Sequence, residues 1–291
     1  MQLPLLELDL LRTLIAAVDR GTLREAARVI GRTESAVSLQ MKRLDELVGV
    51  KLLEKRGRSL RLTTAGEQLV DYARRFMDLN YEALQAVSGF QIEGRVRLGL
   101  VQDFAEGTLP NILAAFSRAH PSVELEVKVE RSCDLATLFL QDSLDLMLFF
   151  CLGRPPARIA STLVGSAPMV WVWREPLTIT DEIRLILFEP PCVFRRTALK
   201  QLAGRRWKQS FLTSSLSGTW AAVQAGLGIS LRSPIGLPRS LSAGTNLPGQ
   251  KELPQVSIYL GRRERSPSAA VDRLQVEITK AVRESLSGMN A

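Results

Sequence analysis

One stretch, TLREAARVIGRTESAVSLQMKRLDELVGVKLLEKRGRSLRL from Thr22 to Leu62, limits what the rest of the chain can be. Thr22 has the character of a helix N-cap, and Glu25 stands three residues on, the spacing of a capping box. Leu23, Ala26, Ala27 and Ile30 then share one helical face, and Gly31-Arg32 ends the helix. Thr33 can cap a second helix, in which Val37, Met41, Leu44 and Val48 recur at helical spacing and must face inward. Its outer face carries Ser35, Leu39, Lys42 and Glu46, flanked by Ser38 and Arg43. Small Ala27 and Ala36 let the two helices cross closely, as a helix-turn-helix requires. An outward face that is hydroxyl-bearing and basic suits insertion into a DNA major groove. Periodicity alone would also fit an ordinary helical hairpin with a solvated outer face.

The next residues favour the groove. Lys51, Lys55, Arg56, Arg58 and Arg61 bracket a turn expected at Gly57-Arg58, which predicts a short two-stranded ribbon with cationic side chains near its tip. Such charges neutralise phosphates and supply affinity that does not depend on base sequence. Isolated, the run would read as a solvated loop; directly after a helix-turn-helix it reads as a wing.

A chain of 291 residues predicts two domains, or one small and one split, and 46% hydrophobic residues suffice for a real core. The net charge of +8 favours an anionic partner, although the first ninety residues hold only a small part of that excess. Cys133, Cys151 and Cys192 form no C-x-x-C pair, and His120 is the only histidine, so no metal site is expected. Free thiols in a reducing cytosol are the default. No run reaches the ~18 apolar residues of a membrane span. Glu7 and Asp9 interrupt the early leucines with no cationic segment before them, so no signal peptide is expected and the location is read as cytoplasmic. The nucleophile elbow, H-E-x-x-H, Walker loop and G-x-G-x-x-G are all missing, so no catalytic residue is nominated.

Taken in order, Leu8, Leu11, Ile15 and Val18 predict a first helix behind the helix-turn-helix. Thr64 and Glu67 suggest a capping box opening a long helix to about Val87. On it Leu69, Tyr72, Phe76, Leu79 and Ala83 alternate by three and four, a seam for a second copy of the helix. From Arg95 strands alternate with helices. Arg95 to Val101, Val123 to Val129 and the almost wholly apolar Leu144 to Phe150 predict a βαβαβ unit with a parallel sheet. Further strands are expected at Val170 to Trp173, Arg184 to Phe188, Gln209 to Leu212, Gly228 to Leu231 and Val256 to Leu260. Ser266-Pro267 reads as the start of the last helix, with Val271, Leu274, Ile278 and Val282 inward.

The Ala26-Ala27 pair, Ser35-Ala36-Val37-Ser38, Arg43-Leu44, Leu47-x-Gly49-x-x-Leu52-Leu53 and Leu62-Thr63-x-Ala65-Gly66 together resemble the N-terminal domain of LysR-type transcriptional regulators. The resemblance continues more loosely along the remaining chain. It implies an α/β protein: a mainly α winged helix-turn-helix at 1–63, a linker and dimerisation helix at 64–88, and a two-lobed, periplasmic-binding-protein-like effector domain at 95–291. The expected lobes are about 95–155 with 262–291, and about 156–261. The implied DNA contacts are Thr33, Ser35, Ser38, Leu39, Lys42, Arg43, Arg56, Arg58 and Arg61, on inverted-repeat promoter DNA, by a homodimer or homotetramer. RNA polymerase is a candidate further partner, and no membrane and no cofactor beyond a small-molecule effector are implied. The alternative is a small-molecule binding module whose N-terminal domain serves assembly.

Two positions depart from the family pattern on the DNA side. Leu39 replaces a usually polar residue and Glu34 a frequent Gln, which leaves the operator sequence open. Open α/β sheets bind ligands at the carboxyl ends of strands. That nominates Gln102, Asp103 and Phe104, Ser132 and Cys133, Phe149 and Phe150, and the loop with Ser215, Ser217 and Gly218. The hydroxyl-rich loop is an anion site or simply an N-cap. Relatives often place Ser or Thr after the first strand, whereas Asp103 here is expected to oppose an anion, which makes neutral, apolar or amine-bearing ligands as plausible as carboxylates.

Overall fold

The computed structural model describes residues 5–56, 59–88, 91–107, 109–176, 182–245, 247, 252–263 and 268–288. The chain divides into two compact units, Met1–Gln91 and Ile92–Ala291.

In the first unit, α1 (Leu8–Arg20), α2 (Leu23–Ile30) and α3 (Glu34–Val48) surround one apolar cluster. Gly21, Gly31 and Gly49 each end a helix in the left-handed region, where a residue without Cβ adds no strain. Thr22 and Thr33 cap α2 and α3, accepting the N–H of Glu25 and Ala36 at 3.2 Å each. The inner face of α1 is Leu10, Leu11, Leu14 and Ala17, wider than the expected stripe. Of that stripe, Leu8 is exposed while Ile15 and Val18 are half-buried, because α1 packs against α2, α3 and α4 at once. The wing is β1 (Leu53–Arg56) paired antiparallel with β2 (Ser59–Leu62). Its expected turn at Gly57-Arg58 lies outside the described residues.

The long helix α4 (Thr64–Ser88) is capped by Thr63 instead of Thr64: Thr63 Oγ1 accepts from Gly66 N–H at 3.0 Å and donates to the Lys51 carbonyl at 2.7 Å. This joint brings the first turn of α4 against the wing backbone. A Cβ at Gly66 would lie 2.1 Å from the Leu52 carbonyl oxygen, so only glycine fits. Gly66→Ala should destabilise the first unit by about 3 kcal/mol, the scale of overpacking a rigid site. Urea unfolding of the variant checks this, and a change under about 0.5 kcal/mol would refute the close approach.

Among the described residues, the second unit holds a five-stranded sheet and two smaller ones. The first contains β3 (Gly94–Leu100), β4 (Val123–Val129), β5 (Leu146–Cys151), β6 (Ser161–Pro168) and, from the far end of the chain, β12 (Gln255–Arg262). Their order is β4-β3-β5-β12-β6, with β3 parallel to β4 and β5, and β12 antiparallel to β5 and β6. Helices α5 (Gln102–Glu106), α6 (Leu109–Ala119), α7 (Ser132–Leu140) and α10 (Ala269–Ser287) accompany this sheet. Val271, Leu274, Ile278 and Val282 are the buried face of α10, as their spacing predicts. That helix opens at the Ser268 cap; the expected start at Ser266-Pro267 lies outside the described residues.

A second layer is made of β7 (Val170–Trp173), β8 (Ile183–Phe188), β9 (Trp207–Thr213), β10 (Ser230–Arg232) and β11 (Ser242–Gly244), with α8 (Val193–Gln201) and α9 (Leu216–Gln224) packed alongside. Its pieces run β10-β7-β11 and β8-β9, linked by a bridge between Leu185 and Ile229. Two strands thus correct the expected lobe limits. Residues 161–168 and 255–262 belong to the first sheet, so the chain passes between lobes at Met169 and Pro254, not near 156 and 261.

His120, at the end of α6, is 2% exposed and lies edge-on to Phe116 at 4.7 Å. Burial, followed by the charge of Arg273, pushes its pKa below the ordinary value of about 6.5. The unfolded chain therefore binds a proton that the folded chain resists. Stability is full above pH of about 6.5 and falls as the pH drops through the unfolded pKa towards the folded one. Urea titrations between pH 7 and 5.5 should show this loss in the wild type and lose it in His120→Gln, since no other histidine titrates there.

Candidate functional site

In the first unit, α3 exposes Ser35, Ser38, Leu39, Lys42 and Arg43 together, while Val37, Met41 and Leu44 are buried beneath them. The helix is fixed from behind: Gln40 accepts from Thr13 Oγ1 at 3.1 Å and donates to Asp9 at 2.9 Å. Asp9 also receives Arg32 at 3.0 Å. Thr33 is occupied as the cap and touches Ser35 Oγ at 3.0 Å. Lys42 leans on Glu46 at 3.6 Å and Arg43 pairs with Glu7, both exposed pairs of the kind worth at most about 1 kcal/mol. A phosphate can displace either carboxylate at small cost. Leu39 is 69% exposed in the middle of this polar face. Asp45 clamps the start of the wing, accepting from Leu52 N–H at 3.0 Å and from Lys51 Nζ at 2.9 Å. Arg61 is exposed on β2 opposite Glu54. Arg58 lies outside the described residues, as does the side chain of Arg56.

On α4, Val70 and Ala73 are buried on the inner side, and Arg74 pairs with Asp19 of α1 at 2.6 Å. Tyr72, Phe76 and Leu79 are 56%, 43% and 61% exposed, and Ala83 is exposed too. Leu69, expected in the same stripe, instead packs half-buried against its own unit's core.

The second unit contains a cavity of about 460 Å³. Of the nominated residues Gln102, Asp103, Ser132, Cys133 and Phe150 line it, together with residues that the sequence did not nominate: Arg131, Phe188, Pro190, Cys192, Phe194, Arg195, Arg196 and Arg232. Phe149 faces the other side of β5, stacked on Tyr259 at 6.0 Å, because neighbours on a strand point oppositely. Phe104 is buried behind the wall, 5.3 Å from Phe150. Ser215, Ser217 and Gly218 are not in the lining. Their loop is closed by the protein itself: Gln102 Oε1 accepts the Leu216 N–H, Ser215 Oγ accepts that of Gly218 at 3.2 Å, and Ser215 and Ser217 hydroxyls meet at 2.8 Å.

The expected opposition of Asp103 to anions is corrected by its partner. Asp103 is 2% exposed and receives Arg232 Nη2 at 3.0 and 2.8 Å, with Ser233 Oγ at 3.4 Å. Its charge is spent within the protein. The pair also joins the lobes, since Asp103 follows β3 and Arg232 ends β10, and Gln102 to Leu216 and Arg131 to the Pro190 carbonyl (3.4 Å) cross at the same level. Nothing local in the sequence could have paired residues so far apart. Cys133 and Cys151 are free, and burial pushes both thiols up, which keeps them protonated and poorly nucleophilic.

Comparisons with known proteins cover both units. The family model for the bacterial regulatory helix-turn-helix protein, lysR family, matches residues 8–67, and that for the LysR substrate binding domain matches 91–282. The chain is 34% identical over 261 residues to the HTH-type transcriptional regulator PecT of Dickeya dadantii, spanning 88% of this chain and 82% of that one. It is 30% identical over 267 residues to the regulator DgdR of Burkholderia cepacia, spanning 90% of each. Among solved structures, full-length BenM matches with a TM-score of 0.53 at 20% identity, over 96% of this chain and 98% of that one, a likeness of fold. The matches follow the same order as the two units, and the chain belongs to the LysR family of DNA-binding transcriptional regulators, with an N-terminal helix-turn-helix and a C-terminal effector-binding domain.

Proposed function

We propose that the chain regulates promoters by binding inverted-repeat DNA as a homodimer, alone or paired into a tetramer, under control of a small molecule held in the cavity of its second unit. The carrying observation is the exposed face of α3, where Leu39 stands 69% in water between hydroxyls and Lys42. An apolar side chain there matches a thymine methyl in the major groove, and Ser35, Ser38 and Lys42 suit base edges or adjacent phosphates. Arg43 and Arg61 hold the DNA backbone. The apolar stripe of α4 supplies the seam between copies, so that two winged modules read two half-sites. A ligand that favours one lobe geometry over another shifts the equilibrium between DNA-bound shapes. RNA polymerase is the further partner at a promoter. The reading also places the protein in the cytoplasm; among the described residues, no helix is long and apolar enough to cross a membrane.

The test is fluorescence anisotropy on a footprinted operator and on random DNA, across a salt series. Arg61→Ala should weaken both by similar factors and lower the salt slope by about one. Lys42→Ala should cost about 1–3 kcal/mol more on the operator than on random DNA. Equal losses on the two would remove Lys42 from base readout, and uniform salt-labile binding by the wild type would remove sequence specificity altogether.

A further inference from the structure

Most of the chain's net charge of +8 lies beyond the first ninety residues, and one stretch concentrates it. Between Glu189 and Glu252 the sequence holds nine lysines and arginines and not one aspartate or glutamate. The fold gathers much of that excess at one end of the second lobe. There β8 and β9 begin and α8 and α9 end, while the cavity lies at the other end, beyond Phe188. Lys200 is exposed in the last turn of α8, and Arg205 and Arg206 stand in the turn that leads into β9. The Arg206 carbonyl accepts the Ile183 N–H at 2.9 Å, which fixes that turn to the start of β8. Arg184 and Lys208 are exposed neighbours in register on the two parallel strands, so their side chains share one face. The end of α9 brings two more: Arg174 Nη1 donates to the Gln224 carbonyl at 3.3 Å, and exposed Arg239 adjoins Ser240, which accepts from the Gln224 amide at 2.9 Å.

The acids at this end do not cancel those cations. Glu182 takes Lys208 at 2.7 Å, and Glu175 takes the Trp173 indole N–H at 2.8 Å. Glu252 borders the patch, its carbonyl accepting from Gln201 at 3.4 Å. Lys200 and Arg206 are exposed and make no salt bridge among the described residues. A lysine in the last turn of a helix complements the helix dipole, worth at most about 1 kcal/mol, which accounts for Lys200 but not for Arg184, Arg206 or Arg239. Like charges held together repel, and an anionic partner relieves that cost.

We propose that this end of the second lobe is a further DNA contact, which holds backbone phosphates flanking the operator and reads no bases. Guanidinium forks match phosphate oxygens, and arginine is the commoner cation of the patch. An acidic protein surface would meet the same charge. The duplex is favoured because the winged unit of the same chain already holds one, which turns a weak phosphate contact into an intramolecular event. The proposal rests on the DNA-binding reading and extends it to the second unit. It leaves the cavity, at the opposite end of the lobe, to the effector.

The test is fluorescence anisotropy of the full-length protein across a salt series, on a footprinted operator alone and on the same operator centred in about 60 base pairs of random sequence. The wild type should bind the long duplex more tightly, with a salt slope steeper by about two than on the short one. Lys200→Gln with Arg206→Gln should remove most of that steepening and lower long-duplex affinity about fivefold or more, while short-duplex affinity stays within about twofold. Both side chains are exposed, so thermal unfolding should not change. Arg118→Gln with Arg154→Gln, equally exposed but on the first lobe, removes the same charge and should keep the wild-type slopes. Equal slopes for the wild type on the two duplexes overturn the proposal. So does a long-duplex gain that survives Lys200→Gln with Arg206→Gln, or one lost as fully in the control pair. Each of these results, with the short duplex still bound, leaves the DNA-binding reading intact; a wild type that binds neither duplex removes both together.

Discussion

Arg232→Ala should destabilise the second unit by about 3–5 kcal/mol, the scale for removing one partner of a buried ion pair. The loss comes less from the missing contact than from what remains. Asp103 would keep a carboxylate at 2% exposure with only Ser233 Oγ, at 3.4 Å, to solvate it. Chemical denaturation followed by circular dichroism gives the number, provided that the transition of the second unit is resolved from that of the first. Removing both charges together, as in Asp103→Asn with Arg232→Met, should recover most of the loss, because a buried pair is roughly neutral against an apolar replacement. A single-variant cost below about 1 kcal/mol would mean that water reaches Asp103 and that the pair is not buried.

The second large effect lies on α4. Phe76→Glu or Leu79→Glu should leave the first unit's own stability within about 0.5 kcal/mol, since both side chains are exposed and its core is built from Val70 and Ala73 on the other side. Affinity for a two-half-site operator should nevertheless fall by about a hundredfold or more, the usual contribution of linking two modules. Binding to an isolated half-site should stay unchanged, and sedimentation should show the smaller species. A variant that remains oligomeric with full operator affinity would remove the stripe from the assembly.

How much of this was readable beforehand depended on distance along the chain. The helix-turn-helix was legible because its information is local: Thr22, Thr33 and Gly31 mark ends, and Val37, Met41 and Leu44 mark a face. The fully apolar β5 and the inner face of α10 were legible for the same reason. Strand β6 was not. Its sequence STLVGSAP contains Gly, Ser and Pro and resembles a loop, yet it is an edge strand paired only with β12, where proline at the end costs no ladder bond. The cavity was half legible. Gln102, Asp103 and Ser132 follow from the rule that ligands sit beyond strand ends, while Arg232 appears in SLRS with no local mark of its role. Of the nominated neighbours Phe149 and Phe150, strand parity sends only Phe150 into the cavity.

The place of β12 in the first sheet sets an order in time. The winged unit needs nothing beyond Gln91, so it can fold while the ribosome is still making the remainder. The first lobe cannot. Its β5 and β6 are neighbours only through β12, which arrives after every strand of the second lobe has been synthesised. Until Gln255–Arg262 emerges, Leu146–Cys151 has one long edge uncovered, and it is the most apolar strand of the chain. Nascent chains stalled near residue 250 should therefore present a finished DNA-binding head on an unfinished, aggregation-prone body, a stage at which chaperones would find their surface.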